Sequence, residues 1–182
     1  MNSHMKTREL LSILDYFPPI DLPVAFSEDA IKDISSTNPP LPGKFVYYIL
    51  ESWEGKYDEY SEVIPCVQLP EGDDFIPLVY WKADLYSREY ILVTLQKRDL
   101  TLISRKVIAG MKSDGKTVIQ SVANIEEGHI INIMVGALSD TEYDPMSSNA
   151  LTMEILPGGN IYSQKEDEPL AWVEKKENTE KS

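Results

Sequence analysis

Cysteine and histidine are nearly absent from this chain. Among 182 residues there is one cysteine, Cys66, and two histidines, His4 and His129. A lone thiol cannot form an internal disulfide and agrees with a reducing compartment. The same scarcity leaves no zinc ligand set that does not draw on several carboxylates. Ser–His–Asp and Cys–His catalysis each need an imidazole beside the nucleophile. His4 belongs to Met1-Asn2-Ser3-His4, which reads as a vector remnant ahead of a native Met5. His129 follows Gly128 at a turn signal and is expected to be an exposed turn residue.

Other absences narrow the chemistry further. There is no GxxxxGK[ST] loop, no GxGxxG after a strand, and no D-x-[DN]-x-[DN]-G order of a calcium loop. The paired Gly158 and Gly159 sit between two strand patterns and read as a hairpin turn. No cofactor is expected. No apolar run approaches the roughly 20 residues that cross a bilayer, so membrane insertion is not expected either. Near the N-terminus, Leu10, Leu11, Ile13 and Leu14 are broken by Ser12 and stopped by Asp15, a poor secretory core, and a cytoplasmic address follows as the expectation. Positive charge is also short. Seventeen Lys and Arg against 30 Asp and Glu give a net charge of −13, which disfavours phosphate-directed nucleic-acid binding and attraction to anionic membranes.

What is present is a strand-rich pattern of single-domain length. Residues 5–43 read as a helical and extended wrap. "TRELLSILDYF" has helical spacing with Thr7 as cap, and "SEDAIKDI" has Ser27 as N-cap with Glu28 and Asp29 complementing the helix dipole. Prolines in "FPPIDLP" and "NPPLPG" impose extended chain around them. From Lys44 the period changes. "KFVYYILESW" alternates Phe45, Tyr47, Ile49 and Trp53 against Val46, Tyr48 and Leu50, which predicts a strand covered on both faces.

After an acidic connection come "EVIPCVQL", "FIPLVYWKA", "EYILVTLQK", "LTLISRKVIA", "KTVIQSVANI", "HIINIMVGAL", "ALTMEIL" and "NIYS", nearly all separated by turn signals. All 12 prolines fall outside Leu78 to Asp144, as expected if that block is the centre of a sheet. Pro65 and Pro77 then mark edges, bulges or strand starts. The fold class expected is mainly β: an antiparallel meander of about eight to nine strands forming a sandwich or partly closed barrel over residues 44–163, with one or two short N-terminal helices. Within it, Tyr90 to Gly110 reads as a central hairpin. Ser104-Arg105-Lys106 interrupts its second strand, which predicts a bulge or an exit from cover that leaves Arg105 and Lys106 at the surface. Residues 164–182 form a polar tail whose end has a disordered composition, with Trp172 in "LAWV" expected to dock on the domain. No repeat points to a propeller or solenoid, and nothing specifies an oligomeric state.

Charge is unevenly distributed along the chain. Glu51 to Asp74 holds eight acids and one base, net −7, whereas Gln96 to Thr117 holds six bases and two acids, net +4. If the two lie on different surfaces, one side is strongly acidic and carries aromatic rings. Rings supply contact area and acids supply steering, a combination suited to a basic protein partner. The expected contact residues are Glu51, Trp53, Glu54, Tyr57, Asp58, Glu59 and Tyr60. A non-enzymatic binding protein is therefore expected. An immunity-type inhibitor of a basic toxin is one concrete form, a likeness of charge that no motif carries. Two alternatives stay open. One is a β-barrel holding a small apolar or carbohydrate ligand, with Tyr47, Tyr48, Tyr80 and Trp81 beside Trp53 at the mouth. The other is a hydrolase using two carboxylates from Glu51–Glu62, Glu71–Asp74 or Ser139–Asp144.

Overall fold

The computed structural model describes residues 6–139, 142–143 and 149–163. The N-terminal part carries α1 (Thr7–Leu11), a 3₁₀ turn (Ser12–Tyr16), β1 (Val24–Phe26), α2 (Ala30–Thr37), α3 (Gly43–Tyr48) and a π-helical turn (Ile49–Trp53). The strands that follow are β2 (Glu62–Gln68), β3 (Phe75–Ala83), β4 (Ser87–Gln96), β5 (Leu102–Ser113), β6 (Thr117–Glu126), β7 (Ile130–Ser139), β8 (Glu142–Tyr143), β9 (Asn149–Ile155) and β10 (Ile161–Ser163). They form one antiparallel sheet in the order β10-β9-β7-β6-β5-β4-β3-β2, with β1 on β6 and β8 on β7. This is the expected meander. It is curled but not closed, since β2 and β10 remain its two ends.

Segment 44–53 corrects the sequence reading. It is helical, not a strand. Phe45, Ile49, Leu50 and Trp53 are all buried and recur at i, i+4, i+5 and i+8, one helical face, while Tyr47 and Glu51 point outward. Pro42 stands at the N-cap, where its fixed φ suits a helix start. Apolar side chains at nearly every position had masked the period, and packing overrides the β-propensity of the aromatic and branched residues. The other two helices begin differently from their expected caps. Lys6 precedes α1, and α2 starts after Asp29, with Ser27 donating no side-chain cap.

Curvature originates in β5. Its register against β4 slips twice, leaving Ile108 and Ile103 as extra residues on either side of the Ser104–Lys106 interruption. Such bulges bend and twist the strand that carries them. At the bend, Gly110 has φ 139°, and a Cβ there would lie 2.1 Å from the carbonyl oxygen of Arg88. Beyond this point β6 leaves β5 and takes β1 as neighbour, Val24 against Ile125 and Phe26 against Ala123. The β9–β10 turn then reaches over the inner face of β4 and β5. Buried Thr94 donates its hydroxyl to the Gly159 carbonyl at 2.5 Å, and the Ile161 amide donates to Ser104 Oγ at 3.3 Å.

Pairing sorts side chains between the two faces of the sheet. Leu78, Tyr80, Lys82, Ile91, Val93 and Arg105 share the face under α3 and the π turn, while Trp81, Leu92 and Thr94 face the curled interior. The β2 edge is covered by the N-terminal wrap. The Asn38 amide donates to the carbonyls of both Pro65 and Cys66, and the chain at Pro18 to Ile20 brackets Gln68 through two backbone hydrogen bonds. Pro65 sits beside the β2 bulge, and Pro77 lies one residue beyond the β2–β3 ladder, so neither removes a ladder bond.

Candidate functional site

The π turn divides its residues between the inside and the outside. Trp53 is turned inward, 5.9 Å from the Tyr80 ring, and Glu54 follows it down. The Glu54 side chain is only 5% exposed. Its carboxylate accepts Arg105 Nε at 2.8 Å and Nη2 at 3.0 Å, Lys82 Nζ at 3.1 Å and the Tyr80 hydroxyl at 2.5 Å. Burial pushes the Glu54 carboxyl up, but the Arg105 hydrogen bonds and charge, the Tyr80 hydroxyl and Lys82 together hold it below the ordinary carboxylate range. Burial, then the Glu54 charge, pushes the Tyr80 phenol well up. This carboxylate stays ionised and fully occupied, so the cluster ties the helical layer to the sheet and is not an acid or base for a substrate.

Arg105 and Lys82 were missed as site residues. Arg105 is not the surface charge expected from the strand pattern: a break in an apolar strand marks an ion pair reaching a segment 51 residues earlier in the chain. The condition set for a separate acidic side, that the two charged segments lie on different surfaces, is not met here. Glu54 meets Arg105, Lys97 Nζ lies 3.0 Å from Glu71, and the Lys97 amide donates to the Asp74 carbonyl. Asp73, Asp74, Lys97 and Arg98 line one cleft of about 670 Å³ with Gln96, Ile103 and Gly158. The two segments are neighbours, and Glu71 is paired with Lys97.

Several other side chains between Tyr47 and Glu62 point outward. Tyr47 is 45% exposed, Tyr57 51% and Tyr60 71%. The Tyr47 and Tyr57 rings meet at 5.0 Å, and the Tyr47 hydroxyl donates to Glu51 at 3.1 Å. That hydrogen bond, followed by the Glu51 charge, raises the Tyr47 phenol. Asp58 caps the next turn, accepting the Tyr60 amide at 3.0 Å and the Ser61 hydroxyl at 3.1 Å. Glu51 and Glu59 are exposed and Asp58 is half-buried. Of the expected partner-binding residues, Glu51 and Tyr57 are brought together through Tyr47, and Asp58, Glu59 and Tyr60 follow Tyr57 directly, with Glu59 and Tyr60 exposed. Trp53 and Glu54 turn instead into the core.

The aromatic mouth expected of a barrel is not assembled. Tyr80 is fully buried and Trp81 is 8% exposed, and as successive strand residues they point to opposite faces of the sheet. Tyr48 is half-buried with its ring 5.9 Å from Trp53, while Tyr47 points outward. Of the carboxylates in the three acidic segments, Glu54 is held below its ordinary range, whereas a general acid needs the opposite shift; outside them Asp84, Asp99 and Asp114 are lowered too, the last two chiefly by backbone N–H groups of their own turns. Asp140 and Asp144 of the third acidic segment lie outside the described residues, as does Trp172. Among the described residues no group of three or more His, Cys, Asp or Glu could hold a metal, and no helix is long and apolar enough to cross a membrane. His129 lies in a turn with φ 61°, its Nε2 2.7 Å from the Pro70 carbonyl oxygen.

Comparison with protein-family models, curated proteins and solved structures finds no match.

Proposed function

We propose that this chain is a non-enzymatic binding protein that engages a basic protein through the face of Tyr47, Glu51, Tyr57, Asp58, Glu59 and Tyr60. One observation carries the reading: three tyrosines stand 45%, 51% and 71% exposed among carboxylates on one continuous stretch of chain. Exposed aromatic rings are the side chains that most often become binding hot spots. Carboxylates around them speed encounter with a cationic surface, and a net charge of −13 adds a long-range field of the same sign. The same field disfavours nucleic acid as the ligand. An immunity-type inhibitor is the concrete form that best suits these properties. A cytoplasmic address is part of the proposal, supported by a lone cysteine that is buried and whose thiol burial raises out of the reactive range.

The test is affinity capture from the source cell on the immobilised protein, at low and at high salt, beside a Tyr57→Ser/Glu59→Lys/Tyr60→Ser variant. The expected result is a basic protein retained at low salt, released by salt, and lost on the variant. Equal retention by both proteins, or no basic protein at low salt, refutes the proposal.

A further inference from the structure

Among the exposed large apolar side chains, three stand out: Leu85 at 76%, Tyr60 at 71% and Tyr86 at 71%. The sheet brings them to one end. The β2–β3 ladder finishes at Glu62 opposite Ala83. Tyr60 precedes Glu62 by two residues, and Leu85 and Tyr86 follow Ala83 in the β3–β4 turn. The turn is rigid. The Asp84 carboxylate accepts the amides of Tyr86 and Ser87, each at 2.8 Å, and the Asp84 amide donates to the Ser87 carbonyl at 2.9 Å. The Ser113 amide at the end of β5 donates to the Tyr86 carbonyl at 2.9 Å and ties the tip to a third strand. Two apolar side chains are thus held in water on a turn whose backbone is already ordered, so little conformational entropy would be lost on docking. Nothing in the packing of the domain requires them there. Glu62 lies opposite Ala83 and Asp84 opens the turn, while Lys112 lies opposite Ser87 and Arg88 follows Ser87.

Resting on the reading of the acidic face, we propose that Leu85 and Tyr86 are the apolar anchors of the same docking surface. Its partner is a basic protein in which an apolar cleft lies beside a Lys- or Arg-rich rim. Charge complementarity selects this occupant over a second copy, because two chains of −13 repel.

A phage-displayed library of random peptides serves as the probe, panned on the wild-type protein. Recovered clones are then measured on Leu85→Ser/Tyr86→Ser and on Glu51→Gln/Glu59→Gln, with melting temperatures confirming that both variants fold. The expected clones combine Lys or Arg with large apolar residues, and lose about tenfold or more on each variant, the scale of a hot-spot residue. Clones that fail only on Glu51→Gln/Glu59→Gln overturn the anchor role and leave the acidic face standing. Uncharged clones that fail only on Leu85→Ser/Tyr86→Ser overturn the basic partner. Clones indifferent to both variants, or no enrichment, overturn both.

Discussion

Replacing Arg105 by Met removes a guanidinium from a nearly closed site and leaves the Glu54 carboxylate behind. That carboxylate is 5% exposed and loses two charge-assisted hydrogen bonds, at 2.8 and 3.0 Å. Removing one partner of a buried pair costs about 3–5 kcal/mol, because the charge left behind is uncompensated. Lys82 and Tyr80 stay in place, so the lower end, about 3 kcal/mol, is expected. In a domain whose total stability is on the order of 5–15 kcal/mol, such a loss is easily measured. Arg105→Glu should be worse, setting two carboxylates against each other under the π turn. Urea melts at neutral pH on the wild type, Arg105→Met, Glu54→Leu and the double variant give the coupling energy. The double variant should recover part of the loss, since an apolar pair often replaces a buried ion pair at little cost, but not all of it, because the buried Tyr80 hydroxyl and Lys82 lose their Glu54 partner. A single-variant loss below about 1 kcal/mol, the scale of an exposed salt bridge, with zero coupling would refute the buried-tie assignment.

Three further outcomes follow from the same geometry. Because the folded-state pKa of Glu54 is depressed, its stabilisation is fully present above the unfolded-state value of about 4.3 and is lost as pH falls through the folded-state value. Melts between about pH 6 and pH 3 should therefore show a steeper acid loss for the wild type than for Glu54→Gln, and parallel curves would contradict it. Gly110→Ala should destabilise by more than about 2 kcal/mol, since its φ of 139° and a Cβ 2.1 Å from the Arg88 carbonyl oxygen leave no room without moving backbone; an unchanged melting temperature would remove the bend from that position. Thr94→Val, nearly isosteric, strands the buried Gly159 carbonyl and should cost about 1–3 kcal/mol in a urea melt, and a neutral result would show the β9–β10 turn not to depend on that bond.

The strands from Glu62 to Ser163, apart from the two-residue β8 in an acidic segment, were legible because each carries its own signal: branched and aromatic residues bounded by turn residues, with prolines kept to the margins. The helix over 44–48 was not, because Val46, Tyr47 and Tyr48 fill the positions that would have shown a polar face. Burial reveals the period that composition hid. Of the site, Tyr57, Glu59 and Tyr60 could be read directly, since exposed aromatic residues among acids in a loop need no distant partner to define them. Arg105 was visible only as a break in an apolar strand. Its meaning depends on Glu54, and the pairing of residues so far apart in the chain follows from the curl of the sheet, which no local pattern encodes. The condition for charge separation was not met for the same reason, because net charge per segment is silent on which segments touch.

The cover over β2 has a consequence for what this chain does when it is damaged. Val63, Cys66 and Val67 are buried in a strand at the rim of the sheet, an apolar segment of the kind that recruits further strands when its backbone is free. Asn38 occupies two of its carbonyls and the chain at Pro18 to Ile20 holds its far end. At the opposite rim, β10 is only three residues long. The N-terminal wrap thus covers an edge as well as supplying core residues, and proteolysis between Phe17 and Leu41 should leave a strand whose backbone is free to pair with another copy.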